Sequence, residues 1–290
     1  MQPMNETVGL FKYLDESKLV FFEDCLVLLT PPIYLNDPLD FLPKGRIPSE
    51  DEILKAWQEN ERDTVLSSVV HLPTDFALRA QQDRLTATRA HLTTTEVVTR
   101  YGEHYQKAIS GIYGIVSLTE AHLSRLMWAH YARSHAGFVA EFAAGEETEA
   151  DGFTRRSCAV GPELFAVKVN YPPSFQLPSF SKNAENVLEV CCTKHPLWEY
   201  EKEWRIIAPL EKSIVYPPIS NTGSEVDKWY CLPFDPKNLR RVIFGMRMKP
   251  EVKQQLCCML DQENFRHVQK QTTGINPKTG ELVLHPFESA

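Results

Sequence analysis

Over residues 9–29 short apolar runs alternate with charged positions, which fits a short helix or a pair of strands, and Thr30-Pro31-Pro32 breaks the pattern. A polar loop follows in Tyr34-Leu35-Asn36-Asp37-Pro38-Leu39-Asp40. From 49 to about 112 the chain is polar with apolar residues at helical spacing, among them Ile53, Leu54 and Trp57, then Val97, Val98, Tyr101 and Tyr105. That spacing predicts two to four helices in an inserted lobe. Thr93-Thr94-Thr95-Glu96 offers an N-cap for the last of them. Residues 113–118 form a β-type run, and Ser117 with Glu120 fits a capping box that opens a helix over about 120–133.

Two-residue alternation returns beyond that helix. Residues 137–142 read as a strand with Phe138, Ala140 and Phe142 on one face, and 165–171 alternates until Pro172 and Pro173 end it. Val187, Leu188, Val190 and Cys191 predict a helix over 183–193. Strands are expected at 229–234, 241–244 and 282–284, with an amphipathic helix over 250–260 that turns Val252, Leu256, Met259 and Leu260 inward. Strands and helices mix without strict alternation. The expected class is therefore α+β: one domain over 1–290 with a mixed, largely antiparallel sheet, packed helices and the helical insertion.

Trp198-Glu199-Tyr200-Glu201-Lys202-Glu203-Trp204-Arg205 carries the strongest chemical signal. As an extended strand it would set Glu201, Glu203 and Arg205 on one face, with Tyr200, Trp204 and Ile206 on the other. Two carboxylates at i and i+2 repel unless a cation or a substrate donor lies between them, so one of them would hold a raised pKa. The plainer alternative is an edge strand with a solvated charged face over an aromatic core face. Bulky Trp198, Tyr200 and Trp204 favour a site, because they would exclude the water that screens those charges. Just upstream, Lys194 either complements a helix C-terminus or brings a cation to Glu201 or Glu203.

Two further clusters carry polar chemistry. In the 36–40 loop, Asn36 or Asp37 can close an Asx turn; the alternative is that Asp37 or Asp40 orients a substrate or a basic partner. On the helix after Ser117, Trp128 and Tyr131 lie three apart and share a face, and His122, His130 and His135 add titratable groups. His130 is either a hydrogen-bonded core residue or a catalyst. The H-x4-H spacing of His130 and His135 is off the i, i+4 pattern of a helical metal pair, so no metal is expected.

Composition narrows the classes. The chain of 290 residues, 43% apolar, can bury a substantial core. It has no apolar run of about 18 residues and no leader-like start, so a soluble, unexported, cytoplasmic protein without a membrane partner is expected. Seven cysteines, including the adjacent pairs Cys191-Cys192 and Cys257-Cys258 but no C-x-x-C, point to reduced thiols. A net charge of −7 argues against broad phosphate-backbone binding and leaves a local basic groove open. The glycine-rich, P-loop, nucleophile-elbow and H-E-x-x-H motifs are all missing, which argues against Rossmann oxidoreductases, P-loop NTPases, α/β-hydrolases and common zinc proteases.

Taken together, NDPLD at 36–40, LMWAHYA at 126–132 with His135 and Gly137-Phe138, and WEYEKEWR at 198–205 resemble a bacterial family of unknown function. Its hallmarks are NDPFD, LMWSHYA..H.GF and W.YE.EWR. The motifs fall in family order; Leu39 stands where Phe is usual and Ala129 where Ser is usual, and neither change removes a titratable group. Some members are abortive-infection, or phage-resistance, proteins, so the resemblance implies anti-phage defence. In layout only, the chain is also similar to ADP-ribosyltransferases, with an early Tyr-bearing strand, an aromatic middle motif and a late E-x-E strand. That similarity implies transfer or glycohydrolase chemistry on NAD or another nucleotide, with a macromolecular acceptor or a phage trigger as further partner.

In such a scheme Glu203 is the key carboxylate and holds a ribose hydroxyl while the glycosidic bond ionises. Glu201 activates the acceptor, His130 joins as a catalytic group, and Tyr13 or Tyr131 stacks on nicotinamide. Asn36, Asp37, Asp40, Trp128, Lys194, Trp198 and Arg205 complete the binding set. Two rivals remain: a metal-dependent nuclease using Asp37, Asp40, Glu201 and Glu203 with Lys194, and a non-catalytic sensor or partner-binding module with an aromatic groove.

Overall fold

The computed structural model describes residues 9–42, 82–83, 85–87, 95–158, 160, 165–174, 184–216 and 229–287. Two units divide the chain, one of Met1–Asp40, Ile109–Phe175 and Cys191–Ala290, the other of Phe41–Ala108 and Gln176–Val190. The first unit begins with strand β1 (Leu10–Leu14), the single-turn helix α1 (Val20–Glu23) and strand β2 (Leu26–Leu28). Most of helix α2 (Thr95–Ser110) belongs to the second unit. The rest of the lobe expected over 49–112 falls largely outside the described residues, as do Thr93 and Thr94, the expected cap of α2.

The remaining strands of the first unit are β3 (Tyr113–Thr119), β4 (Phe138–Phe142), β5 (Thr148–Ala150), β6 (Phe153–Ser157), β7 (Phe165–Lys168) and β8 (Glu203–Pro209). They are followed by β9 (Ile214–Tyr216), β10 (Trp229–Pro233), β11 (Leu239–Phe244), β12 (Gln269–Ile275) and β13 (Leu282–Pro286). Among the described residues, ten strands form one sheet in the order β13-β12-β11-β4-β1-β3-β8-β7-β6-β5, and β2-β10-β9 form a second. The β11–β12 pair is parallel and the other pairs are antiparallel, so the fold is α+β with a large, mostly antiparallel sheet.

Strand alternation sorts the core onto the two faces of that sheet. Leu10, Leu14, Val116, Leu118, Phe138, Ala140, Phe142, Trp204 and Ile206 pack on one face with Phe21, Phe22 and helix α5 (Pro250–Leu260), through Leu256 and Leu260. Phe11, Tyr13, Val139 and Ile243 pack on the other with Met127 and Trp128 of helix α3 (Arg125–Tyr131). Each such large apolar side chain contributes about 1.5–3 kcal/mol relative to remaining exposed.

Pairing is uneven across the sheet. β1 is in register with β4 along its whole length, from Leu10↔Phe142 to Leu14↔Phe138, and β3 with β8 from Tyr113↔Pro209 to Thr119↔Glu203. Between β1 and β3 the register consists of one pair, Phe11↔Thr119. Further along β3, Ile115 exchanges both backbone hydrogen bonds with Thr30, at 2.8 and 2.9 Å. Between those two contacts the sheet is parted.

Three local expectations need correction. The expected strand over 198–205 becomes extended only at Glu203, because Pro196 starts a 3-10 turn (Pro196–Glu201) that His195 caps through Leu197 N at 3.2 Å. Lys202, at φ +44°, then reverses the backbone into β8. Ser117 does not cap a helix with Glu120; pairing with Arg205 claims it for β3. Ser124 caps α3 instead, and α3 ends earlier than expected, at Tyr131, with Arg133, Ser134 and His135 at positive φ just beyond. The remaining elements lie close to the expected places, with Pro250–Leu260 coinciding, Ala184–Cys191 forming helix α4, and β12 an unanticipated strand.

Candidate functional site

A cavity of about 250 Å³ occupies the parted region. It is lined by Phe11, Lys12 and Tyr13 of β1 and by Ser117, Leu118 and Thr119 of β3. Successive strand residues point to opposite faces, so a space bordered by three in a row lies along a strand edge, here the β1 edge that faces β3. Lys12 Nζ donates to the Ser117 carbonyl oxygen at 3.0 Å, supplying a bond that a neighbouring strand would otherwise make.

The floor of the cavity is a chain of ion pairs and hydrogen bonds. Arg205, fully buried on β8, grips Asp40 with two guanidinium nitrogens at 2.9 and 2.6 Å, and Glu203 with two at 2.9 Å. Its NH1 also donates to the Cys191 carbonyl at 2.7 Å. Lys194 Nζ donates to Glu203 Oε2 at 3.1 Å and to Glu201 Oε2 at 2.6 Å. The Tyr131 hydroxyl donates to Glu201 Oε1 and accepts from Asn36 Nδ2 at 2.7 Å. Thr119 Oγ1 donates to the Glu201 carbonyl and accepts from Ala121 N, which ties the 3-10 turn to the end of β3.

These partners set the two glutamates apart. Burial opposes ionisation of Glu203, but the charges of Arg205 and Lys194 outweigh it and hold the carboxyl down at about 2. Glu201 shares only Lys194; burial prevails there, the charge of Glu203 adds to it, and the pKa lies above the usual carboxylate range. Burial alone would lower Lys194, yet Glu203, Asp40 and Glu201 keep its ammonium above the ordinary value. Burial beside Glu201 raises the Tyr131 phenol, so it remains a donor. Burial brings Lys12 down to about 8, against the attraction of Glu203. Chemically, the cavity holds one acid with a raised pKa, a phenol donor and an ammonium group, beside two carboxylates paired to cations.

Eight of the residues expected from the sequence line this cavity: Tyr13, Asn36, Asp40, Tyr131, Lys194, Glu201, Glu203 and Arg205. Four do not. Trp128 is fully buried, with Nε1 on the His122 carbonyl at 2.8 Å and its ring between Tyr13 and His135. His130 is exposed on the outer side of α3. Asp37 accepts from Leu39 N at 2.9 Å and so closes the Asx turn. Trp198 is half-buried beneath Lys194, whose Nζ lies 4.9 Å from the ring centroid. On α3 the stripe that reaches the cavity is Met127 and Tyr131, one turn apart.

Lys12 was not among the expected residues. Its one signal in the sequence is a lone cation inside the apolar run Leu10-Phe11-Lys12-Tyr13-Leu14. Among the described residues no group of three or more His, Cys, Asp or Glu side chains is arranged to hold a metal ion, and no helix is long and apolar enough to cross a membrane.

Residues 127–206 match the model of a family described as a protein of unknown function, DUF2971. That segment contains Tyr131, Lys194, Glu201, Glu203 and Arg205, whereas Lys12, Asn36 and Asp40 precede it. No curated protein and no solved structure matches the chain.

Proposed function

We propose that the chain is an enzyme that takes NAD or another nucleotide into the seam cavity and cleaves or transfers at its glycosidic bond, with Glu201 as the proton-exchanging group. The observation that carries this is the division of labour between the carboxylates. Both oxygens of Glu203 and both of Asp40 are occupied by cations, while Glu201 lines the cavity with a raised pKa, a phenol on Oε1 and one cation, Lys194, on Oε2. A group titrating closer to neutrality is the better general acid or base. Glu203 then acts as a positioning residue that holds Lys194 and Arg205. Tyr131 and Tyr13 line the cavity and supply aromatic rings for a planar base.

The cavity suits one mononucleotide end of a dinucleotide, since pockets for whole drug-sized ligands run from about 300 Å³ upward. The setting we propose is cytoplasmic defence against phage, with the sequence resemblance as its support. Incubation of the pure protein with NAD, alone and with protein, DNA or RNA acceptors, should release nicotinamide; Glu201→Gln should lower the rate by about 100-fold or more. Intact NAD in every mixture would rule out glycosidic chemistry on it.

A binding module is favoured by one observation, the engagement of Asp40 and Glu203 by cations, which suits a rigid floor as well as a catalyst. Phage restriction that survives Glu201→Gln in a folded protein would select that alternative. A metal-dependent nuclease is less well supported, because Asp40 and Glu203 would each have to surrender Arg205 or Lys194 to become ligands.

A further inference from the structure

Of the cations that line the cavity, Lys194 and Arg205 are each held between two or more carboxylates. Lys12 is placed differently. Among the described residues its Nζ has one hydrogen-bond partner, the Ser117 carbonyl, and no carboxylate within ion-pair distance. An ammonium group carries three donors, so two remain beyond the one given to Ser117. It sits on a central strand of the large sheet, and β1 is otherwise apolar. Placing a lysine there is costly for folding, since burial penalises its charge.

Building on the nucleotide reading, we propose that Lys12 is the anion anchor of the cavity and that it binds the phosphate of a nucleotide in the gap between β1 and β3. Lysine meets phosphate as a point charge, without the planar fork that a carboxylate partner would favour. The anion finds polar company in Thr30, Ser117 and Asn36 around the gap, and Tyr34, 76% exposed at the cavity wall, offers an aromatic face to the rest of the molecule. The charges agree: Asp40 and Glu203 balance Arg205 and Lys194, which leaves Lys12 facing Glu201, whose burial favours its neutral form. A bound phosphate would raise the proton affinity of both Lys12 and Glu201, coupling ligand charge to the protonation state of the proposed acid.

Calorimetric titration of the full chain with AMP and with adenosine tests this, using wild type, Lys12→Met and Lys12→Arg, each checked for folding by circular dichroism. Wild type should bind AMP at least about tenfold more tightly than adenosine, as expected for a charge-assisted hydrogen bond. Lys12→Met should erase that preference and Lys12→Arg should keep part of it. In wild type the preference should also shrink as pH rises from 7 to 9, which reports on Lys12 even if Lys12→Met does not fold. Equal affinity for AMP and adenosine, or a preference that persists in folded Lys12→Met, would overturn the anchor and leave the nucleotide reading standing. If neither compound binds, the nucleotide reading fails, and inorganic phosphate decides the anchor: binding lost in Lys12→Met upholds it for another phosphorylated ligand, and no binding to wild type removes it.

Discussion

Two glutamates separated by one residue end up with opposite acid strengths, and the difference lies in how many cations each one touches. Glu203 meets Arg205 through both oxygens and Lys194 through one; Glu201 meets Lys194 alone. Because the folded state holds Glu203 at about 2 against an ordinary value of 4.5, its stabilisation is fully present above 4.5 and is lost as pH falls toward 2. Glu201 has the opposite sign, its raised pKa subtracting stability as pH rises through it. Urea midpoints measured from pH 2 to 7 should therefore show Glu203→Gln less stable than wild type by about 3–5 kcal/mol at neutral pH, the cost of stranding buried charges. The deficit should narrow on acidification, and a constant gap across that range would remove the ion-pair explanation. Glu201→Gln should lie closer to wild type throughout.

The element that brings these two carboxyl groups together is a short turn and not the continuous strand that E-x-E-x-R suggests. Pro196 opens the 3-10 turn, and Lys202, exposed and left-handed, closes it. A left-handed conformation costs an L-residue about 1–2 kcal/mol, and glycine escapes that cost while losing more chain entropy on folding. Lys202→Gly should thus raise stability by about 0.5–1 kcal/mol, seen as a higher melting temperature with the site intact. Elements specified by their own periodicity were legible: Phe138, Ala140 and Phe142 share a core face as the alternation implies, and α5 spans the expected residues. Elements set by partners were not. β12, Gln269-Lys270-Gln271-Thr272-Thr273-Gly274-Ile275, has little apolar alternation and is a strand because β11 and β13 pair with it on either side. Ser117 looked like a cap because its sequence neighbours fit one, and the ladder to β8 decides otherwise.

At the scale of the whole molecule, the cavity is assembled from Lys12, Asn36 with Asp40, Tyr131 and the 194–205 segment. The motif residues among these could be picked out as polar groups clustered with aromatics, but only tertiary pairing says which acid meets which base. It also removed Trp128, which the core needs, and His130, which faces solvent. Lys12 stayed hidden because its role depends on β1 and β3 parting, a property of two strands and of neither alone. That parting has a mechanical side. A ten-stranded sheet whose middle is fastened at Phe11↔Thr119 and by a lysine on Ser117 resembles a zipper with a few teeth missing. Local opening should start there, and amide hydrogen exchange should run faster along the β3 edge that faces β1 than along the edge paired with β8. A molecule lodged in the gap would rivet the two halves together, so occupancy should slow exchange on both β1 and β3, including at amides it never touches.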